Sequence, residues 1–209
     1  MNNILLFFTF SLLATLCNAI THDFCVANNQ TSPGPEGYAC KDPATLTIDD
    51  FVYTAFRNSS PLNPMFNSSG TFAYVKQFPA LNGLGLSMIR LDLGVGGVVP
   101  LHTHRTSEIL IVSQGTVVAG FIDSSNYSAY YKKLEVGDMI IFPESLLHFQ
   151  VNVGATPAVL FATLHDPNPG LQFTSFAVFG SNLPVELVEK TLHLDHEQVL
   201  KQKKIFGGS

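Results

Sequence analysis

The feature that most constrains the fold is a run of short apolar segments between residues 71 and 179, separated by turns that contain glycine. The segments have the length of β-strands and are rich in the β-branched and aromatic residues that favour sheets. No long helical pattern alternates with them, which argues against a doubly wound α/β fold. The sequence therefore predicts an all-β domain, either a sandwich or a barrel. The predicted strands are Thr71–Phe78, Leu86–Leu93, Val98–His104, Glu108–Gln114, Thr116–Ile122, Tyr127–Leu134, Asp138–Phe142, Leu147–Asn152, Ala158–Leu164 and Phe173–Phe179.

The C-terminal part has a different periodicity. Leu183–Glu189 and Asp195–Ile205 carry apolar residues at helical spacing, with Asp195 as the predicted N-cap of the second helix and Gly207 after its last turn. We predict one domain over residues 20–209, with an arm at about 20–57, a barrel at about 71–180 and helices at about 183–205.

The composition excludes several classes of partner. Charged residues make up 13% of the chain, 17 residues are phenylalanine and the net charge is −5. Few charges and many aromatic residues are typical of a well-buried core. An acidic chain without a stripe of Lys and Arg argues against nucleic acid or an anionic membrane as the partner. The basic cluster Lys201–Lys204 lies at the end of a predicted helix, where it complements the helix dipole.

The N-terminus predicts export. Residues Ile4–Cys17 are apolar apart from Thr and Ser, and Cys17–Ala19 places small residues at the usual spacing of a cleavage site. A membrane-spanning helix is the competing interpretation, but the run is shorter than the ~20 apolar residues that a span needs. We therefore predict a signal peptide over residues 1–19 and a secreted chain without a membrane span.

Export also decides how the cysteines are interpreted. Cleavage removes Cys17 and leaves Cys25 and Cys40, an even pair in an oxidising compartment. We predict that these two residues form a disulfide in the N-terminal arm. Two buried free thiols are the alternative.

Four N-x-S/T sequons become relevant in a secreted chain. Each predicts a surface loop that can carry a glycan. The asparagines are Asn29, Asn58, Asn67 and Asn126, and the context of Asn67 is the most favourable.

A histidine-rich stretch predicts a metal site. His102 and His104 stand two positions apart in a predicted strand, so their side chains share a face, and Glu108 follows closely. His148 lies in a later predicted strand. Neutral imidazoles with a carboxylate suit Mn, Fe, Ni or Zn better than Ca or Mg. A hydrogen-bonded cluster in the core is the alternative, but a buried glutamate among histidines is costly without a cation to balance it.

The spacing of these residues resembles the two motifs of the cupin superfamily, in the form found in plant germins and germin-like proteins. The first motif is Gly96-x5-His102-x-His104-x3-Glu108-x6-Gly115, and the second is Gly137-x5-Pro143-x-Ser145-x2-His148-x3-Asn152. The resemblance covers the whole mature chain. It includes Asp23–Ala27 at the mature N-terminus, Gln77–Gly85 as in the subgroup first described as auxin-binding, Phe142–Pro143 and Leu147–Gln150 in the second motif, and the turn Asn168–Gly170.

This resemblance implies a cupin β-barrel, or jelly roll, that holds one metal ion, usually manganese. The implied ligands are His102, His104, Glu108 and His148. The resemblance also implies that the C-terminal helices clasp neighbouring subunits in a homohexamer, a trimer of dimers, and that the protein acts in the cell wall or apoplast of a plant.

Three departures from the family pattern change the expectation. The link Arg105–Ser107 is one residue shorter than in most germins, and Ser145 replaces a glycine, which strains the turn if φ there is positive. Ile89 and Val99 stand where germins that oxidise oxalate carry two asparagines near the metal. Neither side chain can hydrogen-bond a dicarboxylate, so oxalate oxidation is disfavoured and both become candidate cavity residues.

Three functions remain open. The first is an extracellular manganese enzyme of plant defence, a superoxide dismutase that acts on a small oxidant and needs no catalytic residue beyond the metal site. The second is a non-catalytic receptor that binds a small carboxylate, such as an auxin, in its cavity. The third is a structural or storage cupin, which the four-ligand set disfavours.

The other histidines have simpler interpretations. His22 is expected to be solvated in the arm, and His165, beside Asp166, to lie at the surface at a strand end. His193 and His196 belong to the region of the last helix.

Overall fold

The apolar segments form two five-stranded antiparallel sheets in a computed structural model that describes residues 23–35 and 37–209. The strand order is β1-β2-β9-β4-β7 in the first sheet and β10-β3-β8-β5-β6 in the second. The predicted signal peptide and His22 lie outside the described residues. The strands are β1 Ser68–Ala73, β2 Ser87–Leu93, β3 Val98–Thr103, β4 Glu108–Gln114, β5 Val117–Ile122, β6 Ala129–Leu134, β7 Met139–Phe142, β8 His148–Asn152, β9 Ala158–Leu164 and β10 Gln172–Phe173.

The inner faces of both sheets share one apolar core. Leu110 of β4, Leu160 of β9 and Val117 of β5 are fully buried in it, although they come from different sheets. In β4, buried and exposed residues alternate, so Leu110 faces inward while Ile109 and Ile111 face solvent. A period of two fixes the register wherever one face is buried. The two sheets and their shared core are observed, whereas closure into a jelly-roll barrel stays a prediction.

One predicted strand is wrong. Gln172–Phe173 is a two-residue strand, but Thr174–Phe179 is a helix, here named α1. The reason lies in the aromatic spacing, because Phe173, Phe176 and Phe179 recur every third residue, which fits a helix and not a strand. The rings of Phe176 and Phe206 pack with centroids 5.2 Å apart. The bounds of β1 also differ from the prediction, because the strand covers Ser68–Ala73 and not Thr71–Phe78.

Two further helices follow, α2 Val185–Leu192 and α3 His196–Phe206. Asp195 is the N-cap of α3, as predicted: its carboxylate accepts a hydrogen bond from the N–H of Gln198 at 2.8 Å. Gly207 ends the helix with a φ of 78°. Both ends of α3 are therefore set by local residues.

The N-terminal arm packs on the outer face of β2 and β9 in the first sheet. The Cys25–Cys40 disulfide is present, as predicted. Nη1 of Arg90 in β2 donates to the carbonyl of Phe56 at 2.7 Å, and the Phe56 ring packs on Phe161 of β9. This cover leaves the inner face for the cluster described below. Among the described residues, no helix combines the length and apolarity needed to cross a membrane.

Candidate metal centre

The structure brings together all four predicted ligands. His102 comes from β3, His104 follows the end of β3, and Glu108 and His148 begin β4 and β8. Each offers one nitrogen or oxygen atom, and these atoms lie within 4.8 Å of one another. None of the four side chains is more than 4% exposed. Residues from both sheets therefore converge on one buried point.

Backbone carbonyls orient the three imidazoles. Nδ1 of His102 lies 2.8 Å from the Pro100 carbonyl, and Nδ1 of His148 lies 2.8 Å from the Leu146 carbonyl. Nδ1 of His104 contacts the carbonyl of Gly170. A carbonyl accepts only from a protonated nitrogen, so each Nδ1 carries a proton and Nε2 is the ring nitrogen left to face the cluster. These contacts are the second partners that typically fix ligand histidines.

The ionisation states suit a cation. Burial, reinforced by the neighbouring His148, lowers the pKa of His102 to about 3. Burial raises the pKa of Glu108, but the imidazoles of His104 and His148 outweigh it and lower that pKa to about 2. At neutral pH the cluster therefore contains a neutral His102 and an ionised Glu108, the forms that bind a metal.

Contacts between the ligand atoms indicate that a positive charge belongs between them. Oε2 of Glu108 lies 3.2 Å from Nε2 of His104 and 3.5 Å from Nε2 of His148. With Nδ1 held by a carbonyl, each of these Nε2 atoms faces the carboxylate, and the contact is favourable only with a proton or a metal cation between the two atoms. Among the described residues, Glu108 Oε2 and His148 Nε2 find no hydrogen-bond partner although both are buried. A divalent cation would satisfy all of these atoms, so the donor set fits a metal ion.

An apolar cavity of about 650 Å³ adjoins the cluster. His102, His104 and Glu108 line one side of it, and both predicted cavity residues, Ile89 and Val99, line it as well. Much of the remaining wall is aromatic. The aromatic lining residues are Phe66, Phe72, Phe173 and Phe176. The cavity thus offers polar atoms at the cluster and a largely apolar surface elsewhere, with Asn63, Ser68 and Ser69 as further polar lining residues.

Sequence reasoning missed Gln150. This residue lies two positions after His148 on the inner face of β8 and is fully buried. Its amide nitrogen and oxygen have no hydrogen-bond partner among the described residues. The spacing of two from His148 was the signal, because alternate residues of a strand share a face. Gln150 is therefore a second polar group on the inner face.

The second-motif serine adopts the backbone expected of the glycine that it replaces. Ser145 has a φ of 63°, and its N–H donates to the His104 carbonyl at 3.1 Å. L-residues with a side chain are strained in this region. The turn that contains Ser145 thus supports His104 in spite of its strained conformation.

The remaining predicted sites lie at the surface. His165 is exposed at the end of β9, as predicted, and Nδ1 of His196 lies 2.6 Å from a carboxylate oxygen of Glu189. The sequon asparagines Asn29, Asn58, Asn67 and Asn126 are all exposed. Their glycosylation stays a prediction.

Comparisons with known proteins agree with the geometry. The Cupin family model matches residues 55–200. Auxin-binding protein ABP19b from Prunus persica is 49% identical over 205 residues, which cover 98% of each chain. Germin-like protein 8-14 from Oryza sativa subsp. japonica is 48% identical over 202 residues, covering 96% of this chain and 94% of that protein. A solved structure of oxalate oxidase superposes with a TM-score of 0.86 at 31% identity, covering 90% of this chain and 98% of the other. The chain therefore belongs to the cupin family and, within it, to the germin-like proteins.

Proposed function

We propose that this chain is a secreted, manganese-binding germin-like protein of the plant cell wall that dismutates superoxide. The observation that carries the proposal is the buried convergence of three imidazole nitrogens and one carboxylate beside a cavity. The proposed ligands are His102, His104, Glu108 and His148. Four protein donors leave positions open on a six-coordinate ion.

The overall reaction converts two superoxide ions and two protons into dioxygen and hydrogen peroxide. Bound manganese would supply one-electron exchange between two oxidation states. The chain itself keeps His102 neutral by burial and Glu108 anionic through the imidazoles of His104 and His148, and it fixes each imidazole through a backbone carbonyl. Gln150 supplies a buried amide on the same inner face as His148. A small diatomic substrate needs no polar pocket, which is consistent with the apolar cavity wall.

Location and assembly are part of the proposal. Export rests on the predicted signal peptide over residues 1–19. A homohexamer built as a trimer of dimers rests on the family resemblance and on apolar residues that α2 and α3 expose. Leu187, Leu200 and Ile205 are each more than 40% exposed and are available to a neighbouring subunit. We propose no nucleic-acid partner and no membrane span.

A dismutation assay tests the proposal. Secreted wild type, His102→Ala and His165→Ala are loaded with manganese, and metal content is measured by elemental analysis and electron spin resonance. We expect dismutation by wild type and by His165→Ala, whose altered residue is exposed, and its loss together with bound metal in His102→Ala. Equal rates from wild type and His102→Ala, or no activity in any sample, would refute the proposed activity.

A second candidate function is favoured by the cavity. Its volume of about 650 Å³ and its aromatic wall fit a small apolar carboxylate whose charged end reaches the metal. One relative is an auxin-binding protein by name. Calorimetry with an indole carboxylate, with and without manganese, tests this non-catalytic binding role. Absence of heat in both titrations would count against it.

A further inference from the structure

His104 differs from the other two histidines in how it is held. His102 and His148 each contact a carbonyl two residues earlier in their own segment. His104 lies after the end of β3, outside the strand ladder, and its Nδ1 contacts Gly170, which is 66 residues away in sequence. The orientation of His104 therefore depends on a separate segment, the turn 165–170.

Arg105 ties this turn to the link that carries His104. The Arg105 N–H donates to the Pro169 carbonyl at 2.9 Å, and Nη2 of its guanidinium donates to the Asn168 carbonyl at 2.8 Å. The side chain also lies against Gly170, because a Cβ added there would be 3.2 Å from Cζ of Arg105. Arg105 thus holds the two residues that precede Gly170, whose carbonyl orients His104.

We propose that the Arg105 side chain is a positioning residue for His104. It fixes the Asn168–Gly170 turn so that the Gly170 carbonyl accepts from Nδ1 of His104 and leaves Nε2 free for the metal. This inference rests on the proposed metal site. It also explains how the link Arg105–Ser107, although shorter than in most germins, still presents His104 to the cluster.

The side chain of Arg105 is exposed, so its replacement opens no cavity in the core. The main-chain hydrogen bond from the Arg105 N–H to the Pro169 carbonyl does not depend on the side chain, so replacing the side chain by Met or Lys loosens the turn without releasing it. Removing a group that orients a metal ligand typically weakens metal binding by 10- to 100-fold. Arg105 acts on His104 through the turn that contains Gly170, so we expect its replacement to weaken metal binding by about tenfold.

The test compares Arg105→Met, which keeps the length of the stem without donors, with Arg105→Lys, which keeps one charged donor. Arg57→Ala, at an exposed arginine of the arm, is the control. Long-range proton–nitrogen spectra of the metal-free proteins report which ring nitrogen of His104 carries the proton. Titration with Mn²⁺ followed by spin resonance gives the dissociation constant, and thermal unfolding reports global stability.

We expect wild type and Arg57→Ala to show one His104 tautomer, protonated at Nδ1. Arg105→Met should show both tautomers, about tenfold weaker Mn²⁺ binding and an unfolding temperature close to that of wild type. Arg105→Lys should recover the single tautomer and bind within about threefold of wild type. A single Nδ1–H tautomer with unchanged affinity in Arg105→Met would overturn the proposal, and so would an equal loss in Arg57→Ala. If wild type bound no Mn²⁺, the proposed function would fail, and the tautomers would still decide the role of Arg105.

Discussion

Val99 and His102 both face the cavity although they lie three positions apart in β3. In a regular strand this odd spacing places side chains on opposite faces. The register explains the difference. Val99 pairs with Gln150 and His102 pairs with His148, so β3 has one more residue than β8 between the two pairs. This β-bulge turns the Pro100 carbonyl toward Nδ1 of His102, at 2.8 Å.

Deleting Leu101 should therefore keep the His102 side chain on the inner face but remove the hydrogen bond that fixes its ring. Without the extra residue, His102 still pairs with His148 on the inner face, but the Pro100 carbonyl no longer accepts from its ring. We expect metal binding to persist with about tenfold weaker affinity, measured by Mn²⁺ titration. Deletion of Ser125 from the β5–β6 turn is the matched control and should leave the affinity unchanged. Complete loss of metal in a folded Leu101 deletion would contradict this role of the bulge.

Metal removal should lower the thermal stability of the protein. A ligand at 100 times its dissociation constant stabilises the folded state by about 2.7 kcal/mol. For a chain of this length, that corresponds to roughly 5–10 °C in unfolding temperature. Calorimetry before and after chelation measures the shift. His165→Ala should show the same shift in unfolding temperature on chelation, and His148→Ala should show none. A shift of equal size in His148→Ala would mean that the stabilising metal binds elsewhere.

Oxalate should not be a substrate. Ile89 and Val99 line the cavity beside the cluster and offer no hydrogen bond to a carboxylate. We expect manganese-loaded wild type to release no more hydrogen peroxide from oxalate than His102→Ala does. In the double variant Ile89→Asn/Val99→Asn, two amide donors should tighten oxalate binding by about tenfold or more, measured by calorimetry. Oxalate oxidation by wild type would show that these two positions do not set specificity.

Asn152 should be among the most sensitive positions for folding. Its buried Nδ2 donates to the carbonyls of Leu93, Gly94 and Thr156 at 2.9–3.1 Å, and its Oδ1 accepts from Gly154. Asn152→Asp removes the donors and turns a carboxylate toward three carbonyls. We expect a loss of about 3 kcal/mol or more in the free energy of unfolding, measured with urea.

Asn182→Asp, at an exposed position of the same residue type, is the control for that measurement. Its unfolding free energy should stay within about 0.5 kcal/mol of wild type. Similar values for the two variants would mean that the Asn152 contacts contribute little to stability.

Relief of strain at Ser145 should stabilise the protein. Its φ of 63° is more favourable for glycine, so Ser145→Gly should raise the unfolding free energy by about 0.5–1 kcal/mol. Ser145→Ala keeps the strained backbone and should give no gain. Urea unfolding of the metal-free proteins separates the two cases. A gain in the alanine variant as large as that in the glycine variant would assign the effect to the hydroxyl group instead.

The sequence predicted those parts of the molecule that depend on local pattern. Alternation of apolar residues located most strands, and the capping residues located the ends of the last helix, because both signals act over a few positions. Glu108 and His148 could be named as ligands from their spacing together with the family resemblance. The strand predicted at Phe173–Phe179 was wrong because its aromatic spacing of three was interpreted as a continuous apolar run.

What the sequence could not predict depends on contacts between distant segments. The carbonyl partner of His104 is Gly170, and no pattern near His104 indicates it. The bulge before His102 also has no local signature beyond Pro100, because it is defined by the pairing with β8. The spacing of Gln150 from His148 indicates that the two share a face. That the Gln150 amide has no hydrogen-bond partner among the described residues appears only once both sheets are in place.

The alternation in β4 links the chemistry of the site to the outer surface. Glu108 and Leu110 face inward, whereas Ile109 and Ile111 face outward beside Ile141 and Met139 of β7. A slip by one residue would put an isoleucine in place of the carboxylate and, at the same time, expose Leu110 to water. The length of this strand is therefore constrained together with the identity of Glu108. We expect substitutions on its outer face to be tolerated, whereas insertions and deletions displace the carboxylate and the core residues together.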